Sequence, residues 1–200
     1  MVASTFVWNT TSTSNWNNAN GWNNGVASGN GNNASINQGG VTLTSNQNIG
    51  NLTVNNGALF LNTAGQTLSI NNANGLLTLN GTGGNGQINI NAAATLTTVG
   101  LSMLGGNFNM NAGTFTVTNN AAFNGGAANF SGGTFNGGGT VTVAGGTLNL
   151  SGASVGMGAV TVSSGNFNQS AGTANVGATV VNGTGNFKIS NGTFNPAPTA

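Results

Sequence analysis

The sequence lacks nearly every side chain that carries charge. Its 200 residues include one lysine, Lys188, and no arginine, aspartate, glutamate, histidine, cysteine or tyrosine, whereas about 25% of residues in an ordinary domain are charged. General acid–base catalysis draws on these side chains, and a serine or threonine nucleophile needs a neighbouring base. Lys188 has no carboxylate to orient it. These absences predict that the protein is not an enzyme.

The same absences exclude most kinds of binding site. Zinc, iron and copper are bound mainly by cysteine, histidine and carboxylates, and calcium by carboxylate oxygens. Nucleic-acid binding takes its affinity from lysines and arginines on phosphates. No apolar run in the sequence approaches the ~20 residues of a membrane helix. We therefore expect no metal, no cofactor, no nucleic-acid partner and no insertion into a membrane.

Glycine and asparagine dominate what is present, with 36 glycines and 40 asparagines. From Val41 onward, apolar residues alternate with threonine, asparagine and serine in short runs bounded by glycine and asparagine. Such a period of two over four or five residues is typical of β-strands. No segment has the apolar spacing of a helix, so the sequence predicts an all-β chain.

The predicted strands recur at a fixed interval. Three columns of glycines mark the strand starts at steps of 19 or 20 residues: Gly86, Gly106, Gly126, Gly146, Gly165 and Gly185; Gly113, Gly133, Gly152, Gly172 and Gly192; and Gly139, Gly158 and Gly177. Three strands per period of about 20 residues describe a coil that turns three corners and returns above its start. This pattern predicts a parallel β-solenoid, or β-helix, with triangular coils.

The alternation also predicts which side chains fill the interior. We expect the apolar partner residues of each unit to form the core: Phe108, Met110, Phe115, Val117, Val141, Val143, Leu148, Leu150, Val160, Val162, Phe167, Phe187 and Ile189. Glycine at the corners is expected to accept positive φ and close backbone approach, and asparagine to use the left-handed region. Asparagine or threonine side chains one period apart would form hydrogen-bonded ladders along the outside.

Both ends of the chain differ from the repeats. Residues 1–40 contain all three tryptophans, Trp8, Trp16 and Trp22, and are predicted to form a cap or assembly segment before the solenoid of residues 41–195. The tryptophans have two interpretations: a hydrophobic plug over the first coil, or an aromatic patch for a sugar or partner. After Phe194, the tail of residues 196–200 contains Pro196 and Pro198, which end strand pairing because proline cannot donate to a ladder.

The N-terminal pattern resembles the bacterial autotransporter-associated β-strand repeat proteins. The resemblance rests on the spaced tryptophans, on residues 29–36, and on the strands at 41–44 and 49–54. The later glycine-led repeats are similar too, but Asn32 and Asn33 stand where that family has acidic residues. The resemblance implies a secreted or surface-displayed, right-handed parallel β-helix. It implies no particular activity, because the family is defined by its scaffold.

Three functions remain open on the sequence alone. The first is an extracellular structural protein that assembles with copies of itself, head to tail, into a filament; near-zero net charge favours it because no repulsion keeps copies apart. The second is a passenger or adhesin fragment of a cell-surface protein that binds a glycan or another matrix component. The third is an ice-binding solenoid with ranks of threonine such as Thr114 and Thr116. Against the third, Thr134 and Asn136 follow one period later.

Overall fold

The computed structural model describes residues 4–25, 27 and 29–197, so Pro198 of the predicted tail lies outside the described residues. The described chain is almost entirely strand. The strands are β1 (Thr5–Trp8), β2 (Thr13–Asn15), β3 (Gly29–Ile36), β4 (Gly40–Thr42), β5 (Gln47–Val54), β6 (Ala58–Leu61), β7 (Thr67–Ile70), β8 (Leu76–Asn80), β9 (Gln87–Ile90), β10 (Thr95–Thr98), β11 (Gly100–Gly105), β12 (Asn107–Met110), β13 (Thr114–Val117), β14 (Ala121–Phe123), β15 (Ala127–Phe130), β16 (Thr134–Val143), β17 (Thr147–Val162), β18 (Asn166–Val181), β19 (Asn186–Ile189) and β20 (Thr193–Pro196).

Helix is limited, in the part that the structure describes, to two 3-10 segments, Ala19–Gly21 and Thr82–Gly84. No helix among these residues is long and apolar enough to cross a membrane. Every ladder between the strands is parallel. The predicted all-β solenoid is therefore confirmed.

The strands stack into three parallel ladders, one for each face of the coil. We call them the asparagine face, which includes β9, β12 and β15; the threonine face, which includes β7, β10 and β13; and the mixed face, which includes β8, β11 and β14. The long strands β16, β17 and β18 run around corners and contribute to more than one face. Each coil thus visits the three faces in turn before it returns above its start.

The repeat is regular in the second half of the chain and irregular in the first. On the asparagine face, Asn109 stacks on Asn89 and Asn129 on Asn109, each 20 residues apart. Earlier on the same face Leu59 pairs with Val41 and Ile88 with Leu59, which are steps of 18 and 29 residues. The longer step is caused by loops that leave the coil between β6 and β9, and the pairing register is kept across them.

The interior is a continuous apolar column filled by the inward residues of all three faces. Eleven of the thirteen residues that the sequence predicted for the core are at most 1% exposed, from Phe108 to Phe167 along the chain. Four phenylalanines form its densest part: Phe108 lies 4.6 Å from Phe115, and Phe115 stacks on Phe135 at 5.4 Å between ring centroids, with Phe130 5.1 Å from Phe135. Ring contacts at these distances stabilise the core beyond the apolar area they bury.

The other two predicted core residues lie in the last coil and are not fully buried. Phe187 is partly buried and stacks on Phe167 at 4.7 Å. Ile189 is 41% exposed, so the prediction that it is buried is wrong. Its column position is inward, above Gln169, but no described strand pairs above β19. An inward column position buries a side chain only when another coil covers it.

The parallel ladders begin earlier than residue 41. β1 pairs with β3 from Thr5 to Trp8, and β2 pairs with β4 from Thr13 to Asn15. The tryptophan-rich segment therefore contributes strands to the first coil, in addition to covering it.

Corner glycines are required mainly by close backbone approach. A Cβ on Gly126 would lie 2.3 Å from the carbonyl oxygen of Gly106, and one on Gly165 would lie 2.5 Å from that of Gly146. In that column φ is positive at Gly106 and Gly126, but not at the next three glycines. No asparagine among the described residues has positive φ, so the left-handed role predicted for asparagine is wrong. Its side chains connect neighbouring coils instead.

Candidate functional surfaces

A ladder of five asparagine side chains runs along the outside of the asparagine face. Each side-chain Nδ2 donates to the Oδ1 one coil earlier, in four successive hydrogen bonds of 2.8–3.0 Å through Asn89, Asn109, Asn129, Asn149 and Asn168. The parallel ladder sets this geometry, because identical side chains recur at the strand spacing of about 4.8 Å. The face is therefore an ordered array of amides.

The amide ladder has a direction. Because every donor points toward the N-terminal end, the carboxamide oxygens point toward the C-terminal end, where Asn168 is the last asparagine. The next position in register is Lys188, the only charged side chain of the sequence. At the opposite end the column continues into Phe60. The one cation therefore stands at the acceptor end of the ladder, where a positive charge is favourable.

We predict that Asn129→Ala lowers the free energy of unfolding by about 2 kcal/mol, because it removes two hydrogen bonds worth about 1 kcal/mol each. Asn129 donates to Asn109 and accepts from Asn149. Urea unfolding followed by far-ultraviolet circular dichroism measures this change. Asn119→Ala is the matched control, since the Asn119 side chain lies exposed at a corner, and should cost about 0.5 kcal/mol or less. Equal losses would show that the ladder does not stabilise the fold.

The threonine face carries a rank of hydroxyls. Its first outward column is, in register, Thr67, Thr95, Thr114, Thr134, Ser154, Thr173 and Thr193. The second outward column changes from Thr116 to Asn136, as the sequence indicated. Within the described residues, these hydroxyls make no side-chain hydrogen bond to the protein. The face therefore offers donors and acceptors to water or to a polar ligand.

The N-terminal end is closed by the three tryptophans. Trp8 and Trp16 are fully buried and Trp22 is 4% exposed. The Trp22 ring lies 5.3 Å from that of Trp8 and 5.1 Å from that of Trp16. The Nε1 of Trp16 donates to the Ala27 carbonyl at 2.7 Å, and that of Trp22 to the Trp16 carbonyl at 2.8 Å. With their faces buried, the rings plug the first coil and present no surface on which a sugar could stack.

The free edge of β1 at this end is also covered. The side chain of Asn23 accepts from the Val7 N–H at 2.8 Å, and the Asn23 N–H donates to the Val7 carbonyl at 3.0 Å. Asn24 adds a side-chain hydrogen bond to the Thr5 carbonyl at 3.4 Å. Sequence reasoning did not find Asn23, because nothing in the sequence separates it from the other asparagines nearby.

The C-terminal coil, in contrast, is open among the described residues. Val180, Val181 and Ile189 are 49%, 48% and 41% exposed, and Phe187 and Phe194 are only partly buried. No described strand pairs on the outer side of β19, β20 or residues 178–181. This end combines apolar side chains with unpaired backbone groups, which together form a surface suited to strand pairing.

Pro196 interrupts that open edge on one face. The Ala197 N–H donates to the Val176 carbonyl, so residues 193, 195 and 197 direct their backbone groups toward β18, and residues 194 and 196 direct theirs outward. The donor that proline lacks is therefore absent from the free edge. The threonine face is guarded at this end, whereas the edges of the other two faces keep their N–H donors.

A polar residue in the core also escaped sequence reasoning. Gln169 is 1% exposed and occupies an inward position in register with Leu150 and Ile189. Its Nε2 donates to the Thr193 carbonyl at 2.9 Å and the Gly172 carbonyl at 3.3 Å, which ties β18 to β20. The break in an otherwise apolar column was the available signal. Comparisons with known proteins give no match to a family model, a curated protein or a solved structure, so interpretation of these surfaces depends on their own geometry.

Proposed function

We propose that the protein is a non-enzymatic, extracellular structural protein that assembles with copies of itself, end to end, into a filament or surface fibre. The observation that carries the proposal is the open C-terminal coil, whose apolar side chains and free strand edges match the internal stacking of the solenoid. An edge of this kind invites another strand, and natural proteins usually block it with charge or proline. Here Lys188 and Pro196 are the only such residues on the last coil.

The shortage of charge supports the same proposal. With one lysine and no acidic residue in 200, the rods have almost no electrostatic repulsion to keep them apart. The rigid, parallel stacking of the coils also suits a load-bearing rod. A heterologous contact of one end with the other does not close on itself, so it generates a filament.

Assembly should be insensitive to salt and pH, because no ion pair contributes to it and no carboxylate titrates. We expect the critical concentration to change by less than about threefold between about 20 mM and 500 mM salt, and between about pH 3 and pH 9. Sedimentation of polymer from monomer at several protein concentrations measures it. A protein that stays monomeric at high micromolar concentration, or polymer that dissolves on a modest change of salt or pH, would overturn the proposal.

A passenger or adhesin that binds a glycan is the second candidate, favoured by the hydroxyl rank of the threonine face. An array of unbonded hydroxyls can exchange hydrogen bonds with the hydroxyls of a polysaccharide. The resemblance to autotransporter-associated repeats supports this candidate as well. Co-sedimentation with insoluble polysaccharides distinguishes the two, because binding lost in a Thr95→Val, Thr114→Val double variant, without polymer formation, would favour the adhesin.

A further inference from the structure

We propose that Asn23 is a latch on the N-terminal edge, and that the filament joint forms when this latch opens and the edge of β1 pairs with residues 178–181 of a second copy. The inference rests on the proposed self-assembly and adds to it the two strands of the joint and a control on its formation. Three features carry the inference: the direction of the β1 backbone groups, the contacts of Asn23, and the register of the mixed face.

The backbone groups of β1 divide between a paired side and a free side. The carbonyls of Ser4 and Trp8 accept from the N–H groups of Asn33 and Asn37 at 2.8 and 3.1 Å. In a parallel ladder the direction alternates along the strand, so the even-numbered residues face β3. Thr5 and Val7 therefore direct their backbone groups away from the solenoid, toward the position of a preceding coil.

Asn23 occupies the position that a neighbouring strand would take. It satisfies both groups of Val7, as acceptor through Oδ1 at 2.8 Å and as donor through its own N–H at 3.0 Å. One residue thus replaces the pair of hydrogen bonds that a parallel strand would give to Val7. Asn23 is exposed, and the bond from Asn24 to Thr5 is long at 3.4 Å. The cover is therefore held by few contacts on the solvent side.

The other end presents a complementary edge on the same face. The Asn182 N–H donates to the Val162 carbonyl at 2.9 Å, so residues 178, 180 and 182 face β17 and residues 179 and 181 face outward. In the register of the mixed face, Trp8 and Val181 belong to one inward column, which also contains Ile36, Val54, Leu79, Met103, Phe123, Val143 and Val162.

Continuing this column across a joint places the Trp8 of one copy over the Val181 of another. In that register the outward groups of Val181 meet Val7, and those of Thr179 meet Thr5 and Val7, so donors face acceptors. The half-exposed Val181 side chain then gains the cover that every earlier member of its column has. Lys188 lies on the asparagine face, so no charge opposes the contact. A second copy therefore fits this edge in shape, polarity and charge.

The test compares the wild-type protein with Asn23→Ala, which removes the acceptor for Val7 but keeps the backbone donor. We expect Asn23→Ala to lower the critical concentration for polymerisation about tenfold, as the loss of about one hydrogen bond from the closed state implies. Asn20→Ala is the matched control, because Asn20 is an exposed asparagine of the same segment. It should leave the critical concentration unchanged. A second variant, Asn23→Ala with Val181→Pro, lacks the outward donor of residue 181 and should not polymerise.

Sedimentation and negative-stain microscopy give the readouts, with hydrogen exchange at the Val7 amide as a check on the latch. Faster exchange and easier polymerisation in Asn23→Ala, both absent from Asn20→Ala, would support the inference. Equal polymerisation of wild type and Asn23→Ala would overturn the latch and leave the filament proposal standing. Polymer from the Val181→Pro double variant would overturn the joint. If neither wild type nor Asn23→Ala polymerises, the proposed function itself fails.

Discussion

Phe115→Asp is expected to lower the free energy of unfolding by about 5 kcal/mol or more, enough to leave much of the protein unfolded at room temperature. Phe115 is fully buried and contacts the rings of Phe108 and Phe135. Truncating a buried phenylalanine costs about 3–5 kcal/mol, and the carboxylate adds an unpaired charge in an interior that has no cation to offset it. Urea unfolding followed by circular dichroism measures the loss.

Thr116→Asp is the matched control, since it places the same charge one residue along the strand. Thr116 is an outward, half-buried residue of the threonine face, where a carboxylate keeps its water. Only the lower strand propensity of aspartate acts there, at about 1 kcal/mol or less. Comparable losses at the two positions would contradict the alternation of inward and outward residues on which the fold is argued.

Gly21→Ala should break the tryptophan plug. A Cβ on Gly21 would lie 2.0 Å and 2.1 Å from two ring carbons of Trp8, and Trp8 is fully buried against Trp22. Neither the ring nor the short 3-10 segment can yield without opening the packing, so we expect a loss of about 3 kcal/mol. All three tryptophans lie in the plug, so a red shift of the tryptophan emission would report its opening directly.

Gly31→Ala provides the control for Gly21→Ala. Gly31 lies in β3 of the same coil, and a Cβ there would meet nothing within 4 Å. Its tryptophan emission should match that of the wild type, and its stability should change by about 0.5 kcal/mol or less. An unshifted emission in Gly21→Ala would mean that the plug is not packed as described.

The second half of the fold was predictable because the repeat there is strict. Between Gly86 and Gly192 the glycine columns keep steps of 19 or 20 residues, and a constant period fixes the register of all three faces. In the first half, the step from Leu59 to Ile88 hides the register. Loops that extend from a corner change the spacing in the sequence but not the stacking, so the pattern alone could not align β6 with β9.

The end surfaces were less predictable than the coils. The tryptophans marked the N-terminal cap, but their mutual packing depends on three segments that meet only in the folded chain. The contact of Asn23 with Val7 joins residues 16 positions apart through a turn that carries no recognisable motif. Ile189 was misplaced for a related reason, because the alternation gives the direction of a side chain but not whether a further coil covers it.

The assembly of the wild-type protein, imaged by electron cryomicroscopy at high micromolar concentration, tests the central claim most directly. The account predicts unbranched filaments one solenoid wide, in which the strand spacing of about 4.8 Å continues across each joint and Val181 of one copy lies beneath Trp8 of the next. Separate rods at that concentration, or filaments joined side by side through the asparagine or threonine face, would contradict it.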